Sequence, residues 1–284
     1  MGKGIGVKIR RLTSRRIVNG RVSSQIVSMS PLARHLEPRR SAPRKLPLVH
    51  VTPMSRFRQI ADCGRLVPQP CPVLRREILY CSYADVVFRP SREETSWDSD
   101  PAVALLLSPD ILDAAFTFAP LDTGAIASGR VPWFPNSARG SLGEQYCVAD
   151  RGGELLGAWM AEVYGDEAGY AARRVRPTAH DAPDELLVAR QLAEAAVDLQ
   201  LPDHTRDDMR VMSQIECHLS RPVELKRSLL AAFLPAYANL EFLPEIFGAI
   251  THAYQGSSIG GNLPADLVHL VRHRIEPGDH ARVH

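Results

Sequence analysis

Apolar and polar positions follow several distinct periods along the chain, and each period predicts an element. Residues 46–52 read as a short strand ended by Pro53. Residues 54–63 carry Met54, Phe57, Ile60 and Ala61 at helical spacing, with Gly64 where a C-terminal cap belongs. Residues 77–83 and 102–107 read as strands. The second is apolar at every position and bracketed by Pro101 and Pro109, which predicts cover on both faces. Residues 154–164 and 182–199 have the 3.6-residue period of helices, the latter with Asp181 as candidate cap. Residues 210–219 alternate: Val211, Ser213, Ile215, Cys217 and Leu219 share one face, and Met212, Gln214, Glu216 and His218 share the other. A strand at 228–234 and helices at about 243–254 and 265–274 follow. Residues 116–153, rich in Gly, Pro and Ser, are expected to form long loops. Strands and helices mix without regular βαβ alternation, so the fold class is α+β.

Charge divides this pattern in two. Residues 1–45 hold 12 Lys or Arg against one acid, Glu37, and leave the remainder at a net charge of −9. No apolar period persists in those 45 residues, so they are expected to form a basic, disordered arm ahead of a single α+β domain at 46–284. Such an arm is drawn to nucleic acid or another acidic surface by counterion release; a solvated tail, or a true start at Met29, is the plainer reading. The longest apolar runs fall far short of the roughly 20 residues that cross a bilayer. The N-terminus lacks an apolar signal core, and Gly6 stands where myristoylation requires Ser or Thr. Five scattered cysteines (Cys63, Cys71, Cys81, Cys147 and Cys217) contain no CxxC and suggest no disulfide framework. The expectation is a cytoplasmic protein without membrane partners.

Several chemistries fall away on spacing. The glycines near the start are followed by no Gly-Lys-Ser/Thr, so no P-loop is formed. Arg139-Gly140-Ser141-Leu142-Gly143 misses the nucleophile-elbow pattern by one glycine. His269 and His273 lie one helical turn apart, yet Leu270 stands where a metalloprotease glutamate would, and no metal site is predicted. Cys147 and Cys217 read as apolar thiols.

Three segments remain. His50 and Thr52 project from one face of the strand at 46–52. Tyr80 and Tyr83 lie on a strand that runs on to Arg89-Pro90. Gln214 and Glu216 share the polar face of an otherwise apolar strand. Taken in order, the His-x-Thr strand, the helix ending in Gly64-Arg65-Leu66 and the Tyr-x-x-Tyr leading to Arg89 resemble the front half of DarT-type ADP-ribosyltransferases. Gln214-Ile215-Glu216 is similar to the third motif of the wider ADP-ribosyltransferase superfamily. The likeness covers 48–90 and 210–235; the substrate-recognition loop and the Ser-Thr-Ser signature of the second motif have no counterpart.

The resemblance implies a mixed, mostly antiparallel sheet with flanking helices. It also implies an enzyme that takes ADP-ribose from NAD as substrate and passes it to a nucleic-acid or protein acceptor, in a toxin, effector or defence setting. Glu216 would be the catalytic carboxylate and Arg89 would face the diphosphate or the developing charge. His50 and Thr52 would bind NAD, Tyr80 or Tyr83 would stack on nicotinamide, and Gln214 would position the acceptor. Asp122-Thr123-Gly124 would lie in a loop closing over the site. The competing reading is a non-catalytic nucleic-acid-binding or regulatory protein of similar fold.

Overall fold

The computed structural model describes residues 14–18, 21–25, 30–36, 46–86, 100–129, 141–177, 182–198, 200, 210, 212–238, 250–255 and 263–275. It is an α+β structure with a mixed, largely antiparallel sheet flanked by helices. The first hairpin pairs β1 (Ser14–Val18) with β2 (Arg21–Gln25), and α1 (Pro31–His35) follows. These elements fall within the expected arm, and Leu32, Ala33 and Leu36 are buried in the main core, which therefore draws on residues ahead of Leu46.

An interior strand of the sheet, β7 (Ala102–Leu107), is buried at every position. On one side it pairs with β12 (Leu229–Pro235), which pairs in parallel with β13 (Ile250–Tyr254) at the sheet edge. On the other side come β3 (Leu48–Pro53), β6 (Arg76–Tyr83), β10 (Glu216–Leu219), β8 (Ala115–Ala119) and β9 (Val148–Arg151), all antiparallel. The short β5 (Gln69–Cys71) also pairs with β6, and β4 (Arg65–Leu66) pairs with β11 (Val223–Glu224) outside the main sheet, just ahead of the short helix α8 (Leu225–Ser228).

The continuous apolar run of β7 reflects two cores. Val103, Leu105 and Leu107 pack with Leu156, Trp159, Met160 and Val163 of α5 (Glu154–Val163) and with Leu186 and Ala189 of α7 (Asp184–Ala195). Ala102, Ala104 and Leu106 pack with Leu267, Val271 and Ile275 of α9 (Ala265–Ile275). The helix predicted after Pro53 is α2 (Met54–Cys63). Its Met54, Phe57 and Ala61 are buried, and it ends at Gly64 with φ 69°, where the glycine N–H donates to the Ile60 carbonyl.

Four expectations change. Residues 116–153 are not one long loop, since they include β8, β9, α3 (Thr123–Ala127) and α4 (Leu142–Gln145). The alternation over 210–219 becomes a ladder only from Glu216; Met212 and Ser213 lie in a helical turn, whose Met212 carbonyl accepts from the Asp122 N–H. Part of the helix expected at 243–254 is the strand β13, because pairing with β12 at an open edge outweighs a helical period; residues 243–249 lie outside the described residues. The helix α7 starts after Pro183 with no side-chain cap, and Asp181 lies outside the described residues.

A buried carboxylate ties distant segments together. Asp85, just past β6, pairs with Arg173 (which follows the short helix α6, Glu167–Ala171), with Arg272 of α9 at 2.9 Å and with Arg210 at 3.8 Å. Burial would raise its pKa, but Arg173, Arg272 and Arg210 together outweigh that and hold the carboxyl below its ordinary value. Among the described residues, no helix is long and apolar enough to cross a membrane.

Candidate active site

The sheet has a seam. Strands β3 and β6 pair only at Leu48–Tyr83 and Val49–Ser82, and β6 then pairs with β5 at residues 76–78. Between these contacts the β3-facing edge of β6 has no ladder partner among the described residues. His50 bridges the gap, its Nδ1 lying 2.8 Å from the Tyr80 carbonyl. A carbonyl only accepts, so Nδ1 carries the hydrogen and Nε2 is left as an acceptor. Burial lowers the His50 pKa, the Tyr80 carbonyl partly offsets this and Arg56 adds to the lowering, which keeps the ring neutral.

A cavity of about 820 Å³ occupies the seam. By strand alternation His50 and Thr52 belong to the face of Leu48 and Tyr83, whereas Tyr80, Ser82 and Glu216 belong to the other. Because β3 peels away after Val49, side chains of both faces line one space. His50, Thr52, Tyr80, Gln214 and Glu216 all line it, joined by Asp122 and Gly124. Thr52 is 2% exposed, and its Oγ1 has no hydrogen-bond partner among the described residues. Gln214 is held by Ser82, whose hydroxyl donates to Oε1 at 2.8 Å.

Two of the expected site residues do not join the cluster. Tyr83 points into the main core, where its hydroxyl accepts from the Leu46 N–H at 2.9 Å and its ring leans on Tyr170. The one-residue offset from Ser82 fixes this, since neighbouring strand positions face opposite ways. Arg89 lies outside the described residues. The cations that do line the cavity are Arg56 and Arg65.

Glu216 is the centre of the arrangement. It is 7% exposed, and its Oε2 accepts from the Thr123 hydroxyl at 2.8 Å and the Thr123 N–H at 3.2 Å. His218 Nε2 stands 3.2 Å from the same oxygen. Burial pushes the Glu216 pKa up to about 7 despite hydrogen bonds from Thr123 and to the Asp122 side chain. His218 is driven the other way, to about 3, chiefly by burial and also by Arg76. The two are therefore a neutral imidazole and a carboxyl group joined by a hydrogen bond, not an ion pair.

Tyr80 places its hydroxyl 2.8 Å from Cys71 Sγ and its ring edge-on to His218, with centroids 5.1 Å apart. Burial, followed by the nearby Glu216, raises its pKa, so the phenol stays protonated. Asp122 caps α3 by accepting from the Ala125 N–H at 2.7 Å, which orients the Thr123 donors. The Asp-Thr-Gly turn is thus part of the site wall. His218 stood in the sequence on the same strand face as Glu216, two positions on, and that spacing was the signal for its contact.

Among the described residues no group of His, Cys, Asp or Glu is arranged to hold a metal ion. His269 and His273 are exposed on α9 and Cys217 is buried. No protein-family model matches the chain, and no curated protein matches it.

Proposed function

We propose that the chain is an NAD-dependent ADP-ribosyltransferase whose acceptor is a nucleic acid or a protein. The observation that supports this reading is the meeting of His50, Thr52, Tyr80, Gln214 and Glu216, drawn from three segments of the sequence, around one cavity. Its volume lies within the roughly 300–1,000 Å³ typical of small-molecule sites. The unpartnered Thr52 hydroxyl and the free acceptor of His50 suit a polar, hydroxyl-rich substrate.

In the proposed reaction the bond between nicotinamide and ribose breaks, and nicotinamide leaves with the electron pair. Positive charge grows on the ribose as in glycoside hydrolysis. The acceptor nucleophile then bonds to the same carbon and gives up its proton to solvent. Glu216 in its carboxylate form holds a ribose hydroxyl and stabilises the developing charge, most strongly at the transition state because the carboxylate is buried. Tyr80 offers a ring for the nicotinamide, and Gln214 faces the acceptor.

The deciding experiment incubates full-length protein with labelled NAD and mixed DNA, RNA and protein acceptors, beside Glu216→Gln. Wild type is expected to release nicotinamide and transfer label, with the variant slower by about 10²-fold or more. Turnover is expected to rise with pH through about 7 as Glu216 ionises. No NAD binding by calorimetry and no nicotinamide release would remove the proposal. Salt-sensitive nucleic-acid binding lost on deleting residues 1–45 would then favour a binding module.

A further inference from the structure

Across the sheet, Tyr80, His218 and Thr117 occupy one row, because β10 sets His218 opposite Tyr80 on β6 and opposite Thr117 on β8. His218 does not line the cavity; it is buried beside Glu216, with partners at both ring nitrogens. Thr117 Oγ1 is 3.3 Å from Nδ1, and Arg76 Nη2 is 2.5 Å from Thr117 Oγ1 at the exposed start of β6. A residue present only to fill space needs neither contact.

We propose that His218 is the positioning residue of Glu216, holding its carboxylate at the end of a one-directional hydrogen-bond chain that starts at Arg76 and passes through Thr117. The direction follows from the donor inventory. Ionised Glu216 only accepts, so Nε2 of the neutral imidazole carries the hydrogen aimed at Oε2; Nδ1 is left an acceptor, and Thr117, which accepts from Arg76, turns its own hydrogen toward it. The other neighbour of Nδ1, the Cys147 sulfur at 3.9 Å, is a thiol whose pKa burial pushes up to about 12, so it brings no negative charge to the ring.

A carboxylate only accepts, so it terminates the chain without conflict. Together with the two Thr123 donors, His218 satisfies Oε2 from three directions and fixes the rotation of the carboxyl group. A proton on Oε2 would displace at least one of these three donors, so protonation of Glu216 is expected at Oε1, with Oε2 as the anchor. This geometry stands apart from the identity of the substrate; only its kinetic consequence rests on the transferase reading.

The test uses full-length protein labelled with ¹⁵N at histidine, with His218→Gln assigning the signal. At pH 7 His218 is expected neutral, with hydrogen on Nε2; an imidazolium, or hydrogen on Nδ1, would overturn the proposal. Thr117→Val removes the relay hydroxyl and keeps its shape, and Thr117→Ser returns it. Thr117→Val is expected to lower kcat for nicotinamide release about tenfold with KM for NAD unchanged, and to move the pH midpoint upward. Thr117→Ser is expected to restore both. Wild-type kcat and pH midpoint in Thr117→Val would overturn it. If wild type releases no nicotinamide, the transferase reading fails alone, and the tautomer together with the ¹³C-carboxyl titration of Glu216 in the two variants decides this proposal.

Discussion

Glu216 is kept in a state that costs the folded protein stability. Its folded pKa of about 7 lies above the ordinary 4.5, so ionising it is harder in the native state than in the unfolded chain. Below pH 4.5 both states are protonated and nothing is lost. Between about 4.5 and 7 the unfolded chain releases its proton first, stability falls, and above 7 the loss levels off near 3 kcal/mol. Glu216→Gln is therefore expected to raise the urea midpoint at pH 8 and to match wild type near pH 4. A lower midpoint at pH 8 would mean that the donors around Oε2 are worth more than the burial penalty. At this scale the sequence displayed the identities and the alternating faces of Gln214, Glu216 and His218. It did not display which of Tyr80 and Tyr83 turns toward the cavity, because two tyrosines three apart on a strand always face opposite ways and both have strand propensity. Nor did it tell that Thr123, from a Gly- and Ser-rich stretch, supplies the donors on Oε2.

Elements with a strong period and clear punctuation were readable. The helix α2 has both, and Gly64 at its end adopts the left-handed conformation with open space where a Cβ would go. Gly64→Ala should thus cost only the conformational preference, about 1 kcal/mol. Gly169 in α6 is different: a Cβ there would come 2.1 Å from the Tyr164 carbonyl oxygen. Gly169→Ala should be the more damaging of the two, and paired denaturant melts rank them directly. In β7, Leu105 is fully buried between β3 and β12. Leu105→Ala should cost about 2–5 kcal/mol, as cavities in close-packed cores do. The elements that escaped sequence reading are short or depend on a remote partner. β8 is stabilised by pairing with β10 and β9, β9 by pairing with β8, and β13 by pairing with the edge of β12. Local period carries no record of such partners.

At the scale of the molecule, Asp85 joins the end of β6 to α9 and to the segments around Arg173 and Arg210. Arg173 is buried, so Asp85→Asn leaves a guanidinium without its charge partner and should cost about 3–5 kcal/mol at pH 7. The folded pKa of Asp85 is depressed, so this stabilisation is present above the unfolded value and fades as pH falls through the folded one. The gap between wild type and variant in urea should close below about pH 4. The α+β class was readable from the mixture of periods, whereas the strand order was not. The seam in particular arises from how β3 and β5 divide the edge of β6, which no single segment encodes.

That strand order also sets a timetable. Ser82 and Gln214 touch in the wall of the cavity but stand 132 positions apart in the chain. At 5–20 residues per second a ribosome needs roughly 7–26 s to travel between them. Throughout that interval the emerging chain has the His50 side of the cleft and lacks the carboxylate. A growing chain therefore cannot complete the cavity until the strand that carries Glu216 has been delivered.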